Sequence, residues 1–233
     1  DNLQAVLFDL DGTLLPMDQD LFVRAYYAAL CRVMAPRGYK ADELVNAVNA
    51  GTFAMVKNDG SRTNCEAFWQ TFAGFYPEGR ADEPYFEQFY RNEFNGAKNV
   101  CGYTPKADHV VKMIRMEGRR VILATNPLFP RVAVDARLKW AGLDPDDFEL
   151  ITTYEDNRYC KPNHLYFADI VAKQGLDPYR CLMVGNDVQE DLPARKTGMQ
   201  VFILTDCMIN RKNQDISDRS EERRVGKECR SRW

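Results

Sequence analysis

Short apolar runs alternate with helical patterns along most of the chain. The runs span residues 3–15, 119–127, 148–155, 180–187 and 199–206, and each leads into small or polar residues. The helical patterns span residues 105–118, 130–142, 162–175 and 190–198, and all of them end at glycine, a helix stop signal. Apolar runs of this length are typical of buried parallel strands. The alternation predicts an α/β fold, a Rossmann-like doubly wound parallel sheet with polar loops at the carboxyl ends of its strands.

The segment between Leu15 and about Asn99 breaks this alternation. It shows helical patterns at 20–35, 42–56, 64–75 and 83–94, and no strand pattern. Aromatic residues are dense there and recur at helical spacing, which is typical of a packed core. We therefore predict a core formed by residues 1–15 and 97–216, with an all-helical cap inserted at residues 16–96. One edge of the cap is expected to cover a substrate.

Charge and hydropathy exclude several classes of protein. The chain has 31 Lys+Arg and 34 Asp+Glu, a net charge of -3, whereas sequence-independent binding of nucleic acid needs a positive surface. No apolar stretch approaches the roughly 18 residues of a membrane span, and no leader pattern occurs. Seven scattered cysteines favour reduced thiols over disulfides or zinc. We expect a cytoplasmic monomer or homodimer with no nucleic-acid or membrane partner.

The last residues, 217–233, differ from the rest of the chain. Six basic and four acidic residues lie among few apolar ones, so this stretch cannot bury a face. It also resembles translated vector sequence. We expect a disordered tail or a non-native scar.

Two aspartates stand where the first apolar run ends. Asp9 and Asp11 lie two residues apart, before Gly12 and Thr13, and on an extended segment they point to the same side. Two close carboxylates repel when both are ionised, so such a pair usually has a cation or a shared proton. An ordinary turn explains an Asp-Gly step alone. The full string FDLDGTLL is much rarer.

That string resembles the first motif of the haloacid dehalogenase superfamily of phosphohydrolases. Further motifs match in order: Thr125 ends VILATN, Lys161 lies in YCKPNHLYF, and VGNDVQED follows the run that carries Gly185. The resemblance extends to about Asp206. Taken singly, Thr125 fits a helix-capping turn and Lys161 a solvated residue. All four motifs nevertheless fall at the carboxyl ends of predicted strands, where an open sheet gathers ligands.

The resemblance implies a role for each motif residue. Asp9 is the expected nucleophile, which forms an aspartyl-phosphate, and Asp11 the expected acid and base. Thr125 and Lys161 are expected to bind the phosphoryl oxygens, with Asn126 assisting orientation.

The resemblance also implies a Mg²⁺ cofactor. The expected ligand residues are Asp9, Asp11 and Asp187, together with the backbone carbonyl of Leu10. The fourth motif departs from the family pattern, because Asn186 follows the glycine directly where an acid is usual. Asp187 is favoured as the ligand, since a carboxylate holds a hard cation better than an amide. Asn186 is the alternative.

Asp191, four residues after Asp187, is a further acid of the fourth motif. It is expected to orient Lys161 or a metal-bound water, and it is the remaining candidate for completing the metal site.

Together these expectations describe a Mg²⁺-dependent phosphatase that acts on a small phosphorylated metabolite. The alternatives are a phosphomutase, a phosphonate hydrolase or dehalogenase-type relative, and a non-catalytic phospho-ligand-binding module. Asp11 argues against dehalogenation, because a halide leaving group needs no general acid. A phosphonate hydrolase is expected to carry a cap lysine, for which Lys57 gives little support. The cap turn at 58–64, with Arg62, is either a substrate contact or a solvated loop.

Overall fold

A parallel sheet forms the centre of the fold. In the computed structural model, which describes residues 3–216, the strands lie in the order β3-β2-β1-β4-β5 and every neighbouring pair is parallel. The order runs outward from β1 in both directions, which confirms the predicted doubly wound α/β sheet. The strands are β1 Ala5–Phe8, β2 Arg120–Leu123, β3 Leu150–Ile151, β4 Cys181–Gly185 and β5 Gln200–Ile203. The tail predicted at 217–233 lies outside the described residues.

Helices lie between and around these strands. Their ends follow local signals: Asp18 accepts hydrogen bonds from the first amides of α1, and Gly175 ends α7 with φ of 58°. Within the described part of the chain no helix is long and apolar enough to cross a membrane. The helices are α1 Gln19–Met34, α2 Ala41–Val56, α3 Asn64–Phe72, α4 Glu83–Arg91, α5 Pro105–Met116, α6 Arg131–Trp140, α7 His164–Gln174 and α8 Val188–Asp191, and a 3₁₀ segment, Glu93–Val100, follows α4.

The helix predicted at 190–198 begins two residues earlier, at Val188, and only its first turn is α-helical, but it ends at Gly198 as predicted. Helix α8 begins earlier because the Asp187 side chain caps it, accepting hydrogen bonds from the amides of Gln189 and Glu190 at 2.9 and 3.1 Å. It ends at Asp191 and continues as a 3₁₀ segment, Leu192–Thr197. Pro193 explains the change, because proline has no N–H to donate and its ring crowds the preceding turn.

The central strand is buried on both faces. Val6 and Phe8 pack into the hydrophobic cluster that includes α5, α6 and the inserted helices. Ala5 and Leu7 point to the opposite face, where they pack against Tyr166 and other side chains around α7. This alternation explains why the β1 sequence is continuously apolar.

Residues 18–100 contain α1 to α4 and, within the described chain, no strand. The main chain leaves the sheet through Pro16 and Met17 and returns beside them. The Gly102 amide donates to the Pro16 carbonyl at 2.7 Å, and Met17 forms an isolated antiparallel β-bridge with Cys101.

An aromatic cluster joins the inserted helices to the core. The centroid of the Phe94 ring lies 5.0 Å from that of Trp140 on α6. The centroids of the Phe129 and Phe22 rings lie 6.2 and 6.1 Å from it. Such rings bury large apolar areas and gain from edge-to-face contacts. The cluster therefore stabilises the inserted helices against the sheet domain.

Replacing Phe94 with Ala is expected to lower the free energy of unfolding by about 3–5 kcal/mol, because the fully buried ring leaves a cavity. Phe53, which is 64% exposed, is the matched control, and Phe53→Ala should change stability by no more than about 0.5 kcal/mol. Urea denaturation followed by fluorescence measures both. Equal effects of the two substitutions would contradict the role of the cluster.

Candidate active site

The predicted motif residues gather at the carboxyl edge of the sheet. Asp9 follows β1, and its amide donates to the Val184 carbonyl at 2.9 Å; on the other side the Ala124 amide donates to the Phe8 carbonyl at 2.7 Å. These bonds extend the sheet by one residue beyond β1 and β2. The ends of the first, second and fourth motifs therefore lie side by side.

Lys161 places a buried positive charge at this edge. Its ammonium lies 2.8 Å from Asp9 Oδ1 and 2.7 Å from Asp191 Oδ1, and the side chain is fully buried. Burial lowers the pKa of Lys161, but Asp191 and Asp9 more than offset this, so the pKa lies well above its ordinary value. Lys161 therefore stays charged and holds the two acids together. The expectation that Asp191 orients Lys161 agrees with this contact.

Asp191 also fixes the turn of the fourth motif. Its Oδ2 accepts a hydrogen bond from the Asp187 amide at 3.1 Å. A Cβ on Gly185 would lie 2.0 Å from the same oxygen, so the carboxylate approaches the backbone where only glycine fits. Burial raises the pKa of Asp191, Lys161 lowers it, and the resulting pKa is about 6.

Asp11 has a partner that the sequence did not reveal. The buried guanidinium of Arg137, on α6, forms an ion pair with Asp11 Oδ2. Burial raises the pKa of Asp11, and Arg137 opposes this only in part, so the pKa stays above its ordinary value. A raised pKa suits a group that must donate a proton. One sequence signal for Arg137 existed: it shares a helix face with Ala133 and Ala141, which are both buried.

Thr125 and Asn126 position the second motif. The Thr125 carbonyl accepts hydrogen bonds from the Thr152 hydroxyl at 2.6 Å and the Tyr166 hydroxyl at 2.8 Å. The Asn126 side-chain amide spans the Lys161 backbone, accepting from its N–H at 3.1 Å and donating to its carbonyl at 3.4 Å. Asn126 thus orients Lys161.

Asn186 and Asp187 have different surroundings. Asn186 links the first motif to the segment after β5: its Oδ1 accepts from the Thr13 hydroxyl at 3.1 Å and its Nδ2 donates to the Cys207 carbonyl at 2.8 Å. Asp187 uses Oδ1 to cap α8, whereas Oδ2 contacts the guanidinium of Arg211 at 3.0 Å. The Arg211 side chain is 63% exposed, so this contact can exchange with solvent or a ligand.

The first motif forms a tight loop. Gly12 has φ of 81°, and a Cβ there would lie 2.1 Å from Asn186 Nδ2. The positive φ and the close approach of Asn186 each exclude a side chain at position 12. The Leu10 carbonyl accepts hydrogen bonds from the amides of Thr13 and Leu15, at 3.2 and 2.9 Å. Both hydrogen bonds lie within the loop, so the Leu10 carbonyl is not among the ligands proposed below.

The turn at 58–64 packs against the sheet domain through its two ends, whereas its middle, including Arg62, is exposed. Asn64 is fully buried, and its side-chain amide donates to the Pro127 carbonyl at 3.3 Å and to the Cys160 sulfur at 3.2 Å. Asn58 donates to Asn64 Oδ1 at 2.9 Å. The turn therefore lies beside the residues that follow Thr125 and precede Lys161. Lys57 is exposed, and its ammonium lies over the Phe53 ring at 5.5 Å.

A cavity of about 580 Å³ separates the inserted helices from the start of α6. Its walls are mainly aromatic and include Phe22, Tyr26, Trp69 and Phe129. None of the predicted catalytic side chains lines it. The predicted catalytic side chains therefore lie outside this cavity, at the sheet edge.

The predicted ligand residues offer donors that suit Mg²⁺. Within residues 3–216 no three acidic, histidine or cysteine side chains form a ready metal cluster. Mg²⁺ is, however, commonly held by one or two carboxylates with water and substrate phosphate completing the shell. Asp9 and Asp187 provide such carboxylates, and the partner of Asp187 Oδ2 among the described residues is an exposed arginine. The Asp11 carboxylate instead pairs with Arg137.

Comparison with known proteins assigns the family. A sequence profile described as haloacid dehalogenase-like hydrolase matches residues 3–197. The chain belongs to this family of hydrolases and is a phosphatase-like member of it.

Individual relatives agree with this assignment. The chain is 27% identical to pyrophosphatase PpaX of Bacillus pumilus over 84% of this chain and 80% of that protein. It is 26% identical to a phosphoglycolate phosphatase of Agrobacterium fabrum over 85% of this chain and 79% of that protein. A haloacid dehalogenase family enzyme of Bacteroides thetaiotaomicron, crystallised with magnesium and inorganic phosphate, shares the fold with a TM-score of 0.54 at 15% identity, covering 93% of this chain and 98% of that one.

Lys161→Met is expected to lower the free energy of unfolding by about 3–5 kcal/mol, because it leaves two buried carboxylates without their cation. The matched control is Lys173→Met, which removes an exposed partner of Asp169 and should cost at most about 1 kcal/mol. Urea denaturation at pH 7.5 and pH 5 measures both. The Lys161→Met loss should shrink at pH 5, because the pKa of Asp191 is about 6 beside Lys161 and rises further without that cation, so Asp191 is protonated there. A loss equal to that of Lys173→Met would contradict the role of Lys161.

Proposed function

We propose that this protein is a Mg²⁺-dependent phosphatase that hydrolyses a small phosphorylated metabolite through an aspartyl-phosphate. The observation that carries the proposal is the arrangement of two acids on one loop: Asp9 pairs with the buried ammonium of Lys161, and Asp11 pairs with Arg137. Two adjacent carboxylates with different partners are suited to different roles. The assignment of the chain to a hydrolase family, with relatives named as phosphatases, supports the same reaction.

Asp9 is the proposed nucleophile. Its carboxylate attacks the phosphorus in line, a bond forms between the carboxylate oxygen and phosphorus, and the bond from phosphorus to the leaving oxygen breaks. Lys161, 2.8 Å from Asp9, supplies positive charge beside the phosphoryl oxygens. Thr125, at the end of the neighbouring strand, is proposed to donate a hydrogen bond to the same oxygens.

Asp11 is the proposed acid and base. In its protonated form it gives a proton to the leaving oxygen, and as a carboxylate it then takes a proton from the water that hydrolyses the aspartyl-phosphate. The raised pKa of Asp11 supports the first of these roles. The need for a general acid also favours phosphoryl transfer over dehalogenation.

Asp9 and Asp187 are the proposed carboxylate ligands of Mg²⁺, which when bound supplies positive charge at the phosphate. Asp191 and Asn186 are proposed to act indirectly, through Lys161 and through the loop that carries Asp9. Arg211 has to leave Asp187 for the metal ion to bind.

We also propose the domain division of residues 1–15 and 97–216 as core and 16–96 as cap. The cap turn lies beside the second and third motifs, so it is the segment placed to contact the organic part of the substrate. The exposed position of Lys57 gives no support to a phosphonate hydrolase that uses a cap lysine.

Asp9→Asn should lower Mg²⁺-dependent release of phosphate by at least about a thousandfold, because the neutral amide cannot attack phosphorus. The assay uses p-nitrophenyl phosphate, acetyl phosphate and a metabolite panel that includes pyrophosphate and phosphoglycolate. Circular dichroism checks that the variant is folded. Absence of turnover by the unmodified protein across the panel would favour a non-catalytic phospho-ligand-binding module.

Asp187→Ala should raise the Mg²⁺ concentration needed for half-maximal activity by at least about tenfold, because one of two carboxylate ligands is lost. Asp206→Ala is the control, since Asp206 is exposed and follows the neighbouring strand β5. A Mg²⁺ titration of the initial rate separates the two variants. An unchanged Mg²⁺ requirement in Asp187→Ala would exclude Asp187 as a ligand.

A further inference from the structure

We propose that Arg137 is a positioning residue for the general acid: it holds Asp11 by one oxygen, while the other oxygen, unpartnered in the described part of the chain, carries the proton for the leaving group. The proposal rests on the proposed phosphatase function and deepens it, since none of the sequence motifs includes Arg137. In the step concerned, the proton of the Asp11 carboxyl moves to the leaving oxygen as the bond from that oxygen to phosphorus breaks.

Burial and contacts fix the guanidinium of Arg137. Its side chain is 1% exposed, which is costly for a charge unless it is paired. Its Nε donates to the Ala133 carbonyl one turn earlier on α6, at 3.2 Å. The guanidinium carbon also lies 4.5 Å from the centre of the Phe129 ring, within the range of a cation–π contact. An arginine held in this way has little freedom to follow Asp11, so it determines where Asp11 lies.

The ion pair uses only one oxygen of the carboxylate. Arginine and a carboxylate often form two parallel hydrogen bonds, which occupy both oxygens. Here Arg137 Nη1 contacts Asp11 Oδ2, whereas Asp11 Oδ1 and Arg137 Nη2 are buried without a hydrogen-bond partner among residues 3–216. A buried polar atom without a partner is rare in folded proteins and calls for an explanation. Transfer of a proton at Oδ1 to the leaving group provides one.

The inserted helices complete this arrangement. The Phe129 ring, which stacks on Arg137, also contacts Tyr26 at 5.6 Å and Phe22 at 6.3 Å on α1. Side chains of the inserted segment therefore support the ring that supports the guanidinium. The position of the acid thus depends on packing between the core and the inserted helices.

A structural role and a positioning role predict different kinetics. A structural ion pair affects all substrates alike. A residue that positions the general acid matters most for an alkyl phosphate, whose leaving oxygen must be protonated, and least for p-nitrophenyl phosphate, whose leaving group departs as an anion.

The test compares kcat/KM for p-nitrophenyl phosphate with that for the alkyl monoester which the unmodified protein hydrolyses fastest. Arg137→Met should lose about a hundredfold on the alkyl monoester and less than about tenfold on p-nitrophenyl phosphate. Arg137→Lys should recover part of the loss. Phe129→Leu should also lose more activity on the alkyl monoester than on p-nitrophenyl phosphate, with a smaller loss overall. Because it keeps the charges of both Arg137 and Asp11, it tests the proposal even if Arg137→Met fails to fold. Arg120→Met, which removes an ion pair with Glu149 at the amino end of β2, should leave the ratio unchanged.

Asp11→Asn provides the reference for the loss of the acid, and Asp11→Asn combined with Arg137→Lys should lose no more than Asp11→Asn alone. Equal losses on both substrates in Arg137→Lys and Phe129→Leu would overturn the positioning role while leaving the phosphatase function in place. Failure of the phosphatase function itself appears separately, as an unmodified protein that hydrolyses neither substrate.

Discussion

The buried ammonium of Lys161 is the interaction on which the rest of the site depends. It pairs with Asp9 at the end of β1 and with Asp191 at the end of α8. Its own loop is hydrogen-bonded to Asn126, which follows β2. Removing three charged groups from water is costly, and only their mutual contact offsets that cost. The same contact therefore fixes the relative positions of three loops that are far apart in the sequence.

Three acids of the sheet edge pair with three different cations. Asp9 pairs with Lys161, Asp11 with Arg137, and Asp187 with Arg211. The first two cations are buried, whereas Arg211 is exposed, so the pairs differ in how readily they exchange. The edge thus combines a fixed part, which places the proposed nucleophile and the proposed acid, with a part that is open to exchange at the proposed metal ligand.

Much of this arrangement was predictable because it depends on local patterns. Apolar runs that end in acids marked the strand ends, and parallel strands bring such ends together. Arg137 was missed because it lies in a helix whose pattern also contains exposed arginine and lysine, and its place between Ala133 and Ala141 on one helix face was too weak a signal to separate it from them. Arg211 follows the last predicted strand, where no pattern indicated a contact. The error at α8 was avoidable, since Pro193 lies inside the predicted helix and interrupts its hydrogen bonds.

The neighbouring exit and return of the chain at Pro16 and Gly102 have an evolutionary consequence. Because the two ends of the inserted segment are already hydrogen-bonded to each other, the sheet does not need that segment to set the distance between them. Segments whose ends lie close together are tolerated sites for inserting and exchanging subdomains. The sheet edge that carries the proposed catalytic residues can be inherited unchanged while the inserted helices diverge to accept other molecules, provided that the aromatic contact with Phe129 is kept.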